Sequence, residues 1–267
     1  MKKITILTLS FLVVALLAAA CGPQQTDELV VGMELAYPPF ETTDENGDPA
    51  GISVEMAYAL GEYLDRPVRI ENMAFSGLIP ALSTGKIDII LSSMTITEER
   101  AKTVNFSDPY VKAQLSLLVN KDSPVQSFDD LKEEGRKLAV KTGTTGYLFA
   151  LAHLPEENIV SFDRETACVL EVAQGRADAF IYDALTIYRN AQENSDTTRA
   201  IFTPFQEEYE YWGMALNQKD TELLEQVNAF IAHYQAAGSI NELADRYLGE
   251  VKAVFDAQNL PFFFDLE

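Results

Sequence analysis

Two stretches far apart in this chain follow one formula. The run "ALSTGKIDIIL" (81–91) and the run "EVAQGRADAFI" (171–181) each read as the end of a helix, a glycine, a basic residue, an apolar residue or alanine, an aspartate, and a short strand. Glycine after helical periodicity stops a helix, because it takes the left-handed turn at the helix end without strain. A strand directly after that stop marks an α/β unit. Two such units, each inside its own alternation of strands and helices, predict two similar α/β lobes and not a solenoid of many short repeats.

The alternation supports this along most of the chain. In the first half, "LVVG" (29–32), "VRI" (68–70) and "IDIIL" (87–91) read as strands. Between them, "SVEMAYALGEYL" (53–64) is a helix with Ser53 as expected N-cap and Met56, Leu60, Tyr63 and Leu64 on one face. "FSGLIPALSTGK" (75–86) brings Leu78, Ile79 and Leu82 together, with Pro80 near the helix start, where it is tolerated. In the second half, "KLAV" (137–140) and "ADAFIY" (177–182) read as strands, with helices from 144 to 154 and from 165 to 175. The last third holds a strand "YWGMAL" (211–216), a helix over 221–239 with Leu223, Val227, Phe230, Ile231 and Tyr234 on one face, and a short helix over 240–249. These elements are expected to return to the first lobe. The tail 251–267, with three consecutive phenylalanines, is expected to pack on the surface or to touch a membrane or a partner.

The amino terminus, "MKKITILTLSFLVVALLAAAC", has two lysines, an apolar run too short for a comfortable span, three alanines and Cys21. That is the layout of a secretory signal peptide. It resembles a bacterial lipoprotein signal, and the resemblance implies removal of residues 1–20, lipid attachment at Cys21 and an extracytoplasmic protein held to the cell membrane by lipid. Residues 21–28 read as a polar, flexible tether. The balance of 41 acidic against 20 basic residues, −21 in all, argues against a nucleic-acid partner. Of the two cysteines, Cys168 is left without a partner and lies in an apolar helical pattern, so it is expected to be a buried, inert thiol. His153 and His233 are far apart without metal-ligand company, and no metal or cofactor is expected.

The chain resembles a known family in the stretches "VVGMELAYPPFE", "GISVEMA", "FSGLIPALSTGKIDIILSSMTITEERAKTVNFSDPY", "LAVKTGTTG", "YD" at Tyr182 and Asp183, "MALNQKDTELLEQVNAFI" and "GSINELADRYLG". This is similar to the periplasmic-type solute-binding proteins of ABC importers, in the subgroup for polar amino acids. The likeness covers roughly residues 29–248 and is most specific over 75–110. It departs at Ser53, where the family usually has an acidic residue. It implies an α/β, two-lobe periplasmic-binding-protein type II fold with a ligand cleft between the lobes. Lobe 1 is expected at 29–113 and 214–250, lobe 2 at 118–205, and hinge crossings at 114–117 and 206–213. The implied protein is a monomer and not an enzyme. It binds one free L-amino acid and serves an ABC permease and ATPase in the membrane.

The resemblance also implies a set of site residues. Arg100, ending "TITEER", takes the position of the family's carboxylate-binding arginine, and only guanidinium offers a rigid fork for a planar carboxylate. From the residues alone, Arg100 reads rather as a surface partner of Glu98 and Glu99 on a helix. Thr95 is implied to meet the carboxylate with its N–H and the α-ammonium with its hydroxyl, with Ser93 on the same ammonium and Ser92 beside it. The plainer reading of "SSMT" is a turn with local side-chain bonds. Thr145 is implied to add a backbone N–H at a helix start, where anions are favoured. Asp183 ends a strand, where ligands sit in open sheets, and is implied to bind the ammonium; it also suits the N-cap of the next helix. Tyr37 and Phe75 match aromatic walls, and Glu34 and Lys141 the far end of the pocket. An acceptor and a donor together favour a neutral amide such as glutamine. The alternative is lysine or arginine, which suits Glu34 but meets like charge from Lys141; Tyr37 and "SSMT" resemble the cation-binding relatives. Other polar amino acids, an amino-acid sensor and a cleft enzyme of dehydratase type complete the alternatives. The S-T-G-K run at 83–86 and K-T-G at 141–143 fit two of the three serine β-lactamase elements, but the serine ends its helix and no S-D-N occurs.

Overall fold

A computed structural model describes residues 28–258 and 260–266. The expected signal peptide, Cys21 and nearly all of the expected tether lie outside these residues. Strand β1 (Leu29–Met33) is followed by the hairpin β2 (Thr42–Thr43) and β3 (Pro49–Ala50), helix α1 (Ile52–Leu64), β4 (Val68–Asn72), α2 (Leu78–Ser83), β5 (Ile89–Ile90), α3 (Glu98–Ala101) and β6 (Val104–Phe106). The chain then leaves through β7 (Val111–Ala113) into β8 (Leu115–Asn120), β9 (Leu138–Lys141), α4 (Thr145–His153), β10 (Ile159–Phe162), α5 (Glu165–Ala173), β11 (Ala179–Asp183), α6 (Ala184–Glu193) and β12 (Thr198–Ile201). It returns through β13 (Glu210–Trp212) to β14 (Ala215–Asn217), α7 (Thr221–Ala236) and α8 (Ser239–Ala257).

The strands form two mixed sheets of five, ordered β4-β1-β5-β14-β6 and β10-β9-β11-β8-β12. β1 runs parallel to β4 and β5, β9 runs parallel to β10 and β11, and β14 and β8 are antiparallel to their neighbours. β7 and β13 form a separate two-stranded ribbon, Tyr211 opposite Lys112. This is the two-lobe type II arrangement, with the last third of the chain completing the first lobe.

The rhyme is structural. Gly85 and Gly175 have φ of 73° and 69°, and the following bases close the helix ends through Lys86 N–H to Ala81 O and Arg176 N–H to Glu171 O, both 2.9 Å. Asp88 then grips Val30 twice, its N–H on the carbonyl at 2.9 Å and its Oδ2 on the N–H at 2.8 Å. Asp178 grips Lys137 in the same way, at 2.8 Å for both bonds. In each lobe the aspartate therefore pins the start of its strand to the neighbouring one.

Several expectations need correction. Ser53 does not cap α1; Gly51 does, at φ 115°, where an added Cβ would lie 2.5 Å from Phe40 O, and Ser53 is fully buried inside the helix. The strand expected over 211–216 is two strands, because the chain passes at Gly213 from the crossing pair into the first sheet. The short helix expected over 240–249 runs on to Ala257, since Val251 and Phe255 continue its apolar face past Gly249, whose intrinsic cost of about 1 kcal/mol such packing offsets. Residues 115–117, expected in a crossing, lie in β8 of the second sheet. In the tail, Phe263 is 1% exposed against Phe40, Trp212 and Phe255, and its carbonyl accepts from Lys112 N–H in β7 at 2.7 Å. The phenylalanines thus complete the first lobe's core beside the crossing strands. Cys168 is buried, and burial pushes its thiol up to about 12.

Candidate functional site

After β5 the chain turns through Ser93, at φ 47°, and then runs along β13. Gly213 N–H donates to Met94 O at 3.1 Å and Ile96 N–H to Tyr211 O at 2.8 Å, with a bridge from Thr95 to Trp212. This ties Thr95 to the crossing strand. Thr97 Oγ1 caps α3 by accepting Arg100 N–H at 3.2 Å, which sets Arg100 one turn inward. The Arg100 side chain does not answer Glu98 or Glu99. It is 7% exposed, donating from Nη1 to Thr95 O at 2.5 Å and from Nη2 across the cleft to Gly143 O at 3.0 Å, with its guanidinium 5.6 Å from the Phe75 ring centre. Burial lowers its pKa to about 10, with Glu210 pulling the other way.

The second lobe contributes the ends of β9 and β11. Thr144 caps α4 and places Thr145 at its first residue. Asp183 caps α6: its Oδ1 accepts from Leu185 N–H at 3.0 Å and Thr186 N–H at 3.1 Å. Its Oδ2 and the Tyr37 hydroxyl are both buried and close enough to interact, but neither makes a regular hydrogen bond among the described residues, and burial, opposed by the Tyr37 and Thr186 contacts, raises the Asp183 pKa. Both sequence readings of Asp183 are thus structurally open at once, one oxygen for the helix and one left over.

Glu34, Tyr37, Phe75, Ser92, Ser93, Thr95, Arg100, Thr145 and Asp183 all line one pocket between the lobes, with Tyr182, Glu210 and Trp212. Lys141 does not line it. Its ammonium, 2% exposed, is ion-paired with Glu34 Oε2, and it lies 5.7 Å from the Phe75 ring centre and 5.9 Å from that of Tyr182. Glu34 Oε1 accepts from Phe75 N–H at 3.3 Å, and Ser92 Oγ accepts from Glu34 N–H at 3.0 Å.

Two carboxylates of the site escaped sequence reasoning. Glu41 is fully buried behind Ser93, whose hydroxyl donates to it at 2.9 and 3.0 Å; burial raises its pKa to about 8, so it is mostly protonated at neutral pH. Glu210 Oε2 accepts from Thr95 Oγ1 at 3.0 Å and Thr145 Oγ1 at 2.9 Å, and burial raises its pKa too. Glu41 gave no sequence signal, sitting at the end of a loop. Glu210 lies in an acidic run that reads as a solvated surface. The alternation "EYW" does place Glu210 on the same side of its strand as Trp212.

Comparison with known proteins places these features. Residues 29–250 match the family described as bacterial extracellular solute-binding proteins, family 3. The ABC transporter arginine-binding protein 1 of Escherichia coli (strain K12) is 29% identical, over 87% of this chain and 96% of its own. A mutant of ArgBP from T. maritima superposes with a TM-score of 0.75 at 36% identity, over 84% of this chain and 96% of that one. An ancestral arginine-binding protein bound to glutamine gives a TM-score of 0.76 at 32% identity, over 84% of this chain and 98% of that one, and an ancestral arginine-binding protein bound to arginine gives 0.76 at 32%, over 83% and 98%.

Proposed function

This chain belongs to the bacterial extracellular solute-binding proteins, family 3, and from that premise we propose that it captures a free cationic L-amino acid, arginine or lysine. It is a polar-amino-acid-binding protein of an ABC transporter, acts outside the cytoplasm and is not an enzyme. In the proposed complex the Arg100 fork and the N–H groups of Thr95 and Thr145 hold the α-carboxylate. Asp183 Oδ2 and Ser93 receive the α-ammonium, which gives the buried oxygen, beside the Tyr37 hydroxyl, the regular hydrogen bond it does not otherwise make among the described residues. Tyr37 and Phe75 flank the aliphatic stem, and Glu34 faces its far end. Arg100 comes from the first lobe, and Thr145 and Asp183 from the second. A ligand bridging them therefore favours the shut state.

The observation that carries the cationic reading is the acidic lining of the pocket. Glu34, Asp183 and Glu210 line the pocket against Arg100 alone, with Lys141 balancing Glu34 from behind. Burial raises Asp183 and Glu210 towards their neutral forms, and a ligand that brings one further positive charge favours the ionised acidic lining more than a zwitterion does, while aromatic faces at the walls suit a cation. The arginine-binding relatives support the same choice. Glutamine, favoured on sequence by the supposition that Lys141 reaches the ligand, becomes the second reading. The ancestral protein solved with glutamine keeps it open.

A thermal-shift screen of the purified protein against the twenty L-amino acids tests this. Arginine and lysine are expected to raise the melting temperature most. A rise with glutamine alone moves the assignment to a neutral side chain, and no rise with any of them removes the amino-acid reading. We also propose that Cys21 carries a lipid anchor, so Cys21→Ser is expected to shift the protein from the membrane to the soluble fraction; continued attachment contradicts it.

A further inference from the structure

Behind the pocket lies a carboxylate that the proposed function does not use. Glu41 is fully buried and does not line the pocket, yet it holds two residues that do. Its backbone exchanges hydrogen bonds with Tyr37, the Tyr37 N–H on Glu41 O at 2.7 Å and the Glu41 N–H on Tyr37 O at 2.9 Å. Its side chain takes the Ser93 hydroxyl hydrogen, with Ser93 Oγ 2.9 Å from Oε1 and 3.0 Å from Oε2. Ser93 adopts a left-handed backbone, φ 47°, which a residue other than glycine holds only where its surroundings fix it. A serine hydroxyl has one hydrogen and two lone pairs. With the hydrogen on Glu41, only lone pairs are left for the cleft.

We propose that Glu41 is a positioning residue for the ligand's α-ammonium: by holding the Ser93 hydrogen on its own side, it presents the Ser93 oxygen to the cleft as an acceptor alone. This rests on the reading that the cleft takes amino acids and that Ser93 meets their ammonium. Ionised Glu41 can only accept, so it fixes Ser93 in this sense. Protonated, it can donate instead and turn the Ser93 hydrogen towards the cleft, against the hydrogens of the ammonium. An ammonium on Ser93 therefore favours the ionised carboxylate, and the ionised carboxylate favours the ammonium. Burial raises the Glu41 pKa to about 8, so binding at neutral pH is coupled to release of its proton to solvent. Among the described residues, the charged and titratable groups facing Glu41 are Lys141, which lowers its pKa, Glu34, which raises it further, and the phenols of Tyr110 and Tyr182. The Ser53 and Tyr110 hydroxyls are buried beside the carboxylate, and neither makes a regular hydrogen bond among the described residues.

Calorimetric titration with arginine, lysine and glutamine, at pH 6, 7 and 8 and in two buffers of different ionisation heat, reads affinity and the protons exchanged. All three ligands carry the same α-ammonium, so the proposal holds for any of these side chains. Wild-type affinity is expected to rise by about fivefold from pH 6 to pH 8, with a fraction of a proton released per ligand. Glu41→Gln keeps the shape and cannot ionise. It is expected to flatten the rise, to lose the proton release and, at pH 8, to bind about fivefold more weakly than wild type. A merely structural Glu41 would instead lower affinity by one factor at every pH. An equal pH response in wild type and variant, or no response in wild type, overturns the proposal. Should Glu41→Gln not fold, Ser93→Ala takes its place: loss of the response upholds the link through Ser93, and its persistence overturns it. Binding of none of the three by wild type fails the amino-acid reading, and the proposal with it; binding without the pH response fails the proposal alone.

Discussion

Lys141, at the end of β9, reaches across the cleft and pairs its buried ammonium with Glu34, which follows β1 in the other lobe. The pair therefore bridges the two lobes. It is also the contact that most separates a neutral from a cationic side chain, because it decides whether Glu34 is already neutralised when the ligand arrives. Lys141→Met is expected to leave Glu34 free for the ligand's own positive group. The ratio of arginine to glutamine affinity is then expected to rise by about tenfold, the scale of one hydrogen bond between charged partners. Parallel calorimetric titrations measure this ratio; an unchanged ratio removes Glu34 from contact with the ligand side chain.

Arg100 is the only cation lining the pocket among the described residues. Arg100→Ala is expected to cost about 3–5 kcal/mol of binding, since the ligand carboxylate would then be buried without its charge partner. Arg100→Lys keeps the charge and loses the planar fork, so it is expected to recover only part of the affinity. Circular dichroism is expected to show both variants folded. Wild-type affinity in either variant contradicts the role given to the guanidinium.

Stability is expected to fall as the pH rises across the neutral range. Burial raises Glu41 from an ordinary carboxylate value of 4.5 to about 8, and Glu165 from 4.5 to about 7. Between those values the folded chain holds protons that the unfolded chain has released, so each unit of pH favours unfolding. The advantage of the protonated groups is full below the ordinary value and gone above the raised one. The melting temperature is therefore expected to decline between about pH 5 and about pH 8. Glu41→Gln is expected to flatten that decline, because an amide satisfies Ser93 without titrating. An identical slope in the variant places the titration elsewhere.

What the sequence disclosed and what it withheld have physical causes. The repeated Gly–base–x–Asp formula disclosed two lobes because each residue in it has a local duty: the glycine turns the chain and the aspartate ties one strand to the next. Local duties leave local patterns. The motif from Ser92 to Arg100 was legible by resemblance, and the structure gathers its residues in one pocket with Asp183 and Thr145. Glu41 and Glu210 stayed hidden because only tertiary packing buries them; in the chain they look like loop and surface acids. The tail was ambiguous for the same reason. Three adjacent phenylalanines announce burial without saying where, and only the folded chain brings Phe263 against Phe40 and Trp212. Lys141 was placed on the ligand because sequence does not reveal that Glu34 takes its ammonium first.

The central claim is that an amino acid with a positively charged side chain is held at both charged ends of its backbone by opposite lobes. Competitive calorimetry tests it most directly, titrating arginine into protein that is free of ligand and again into protein saturated with glutamine. The account predicts one arginine per chain, bound more tightly than glutamine and displacing it. Tighter binding of glutamine, or binding of neither, contradicts it.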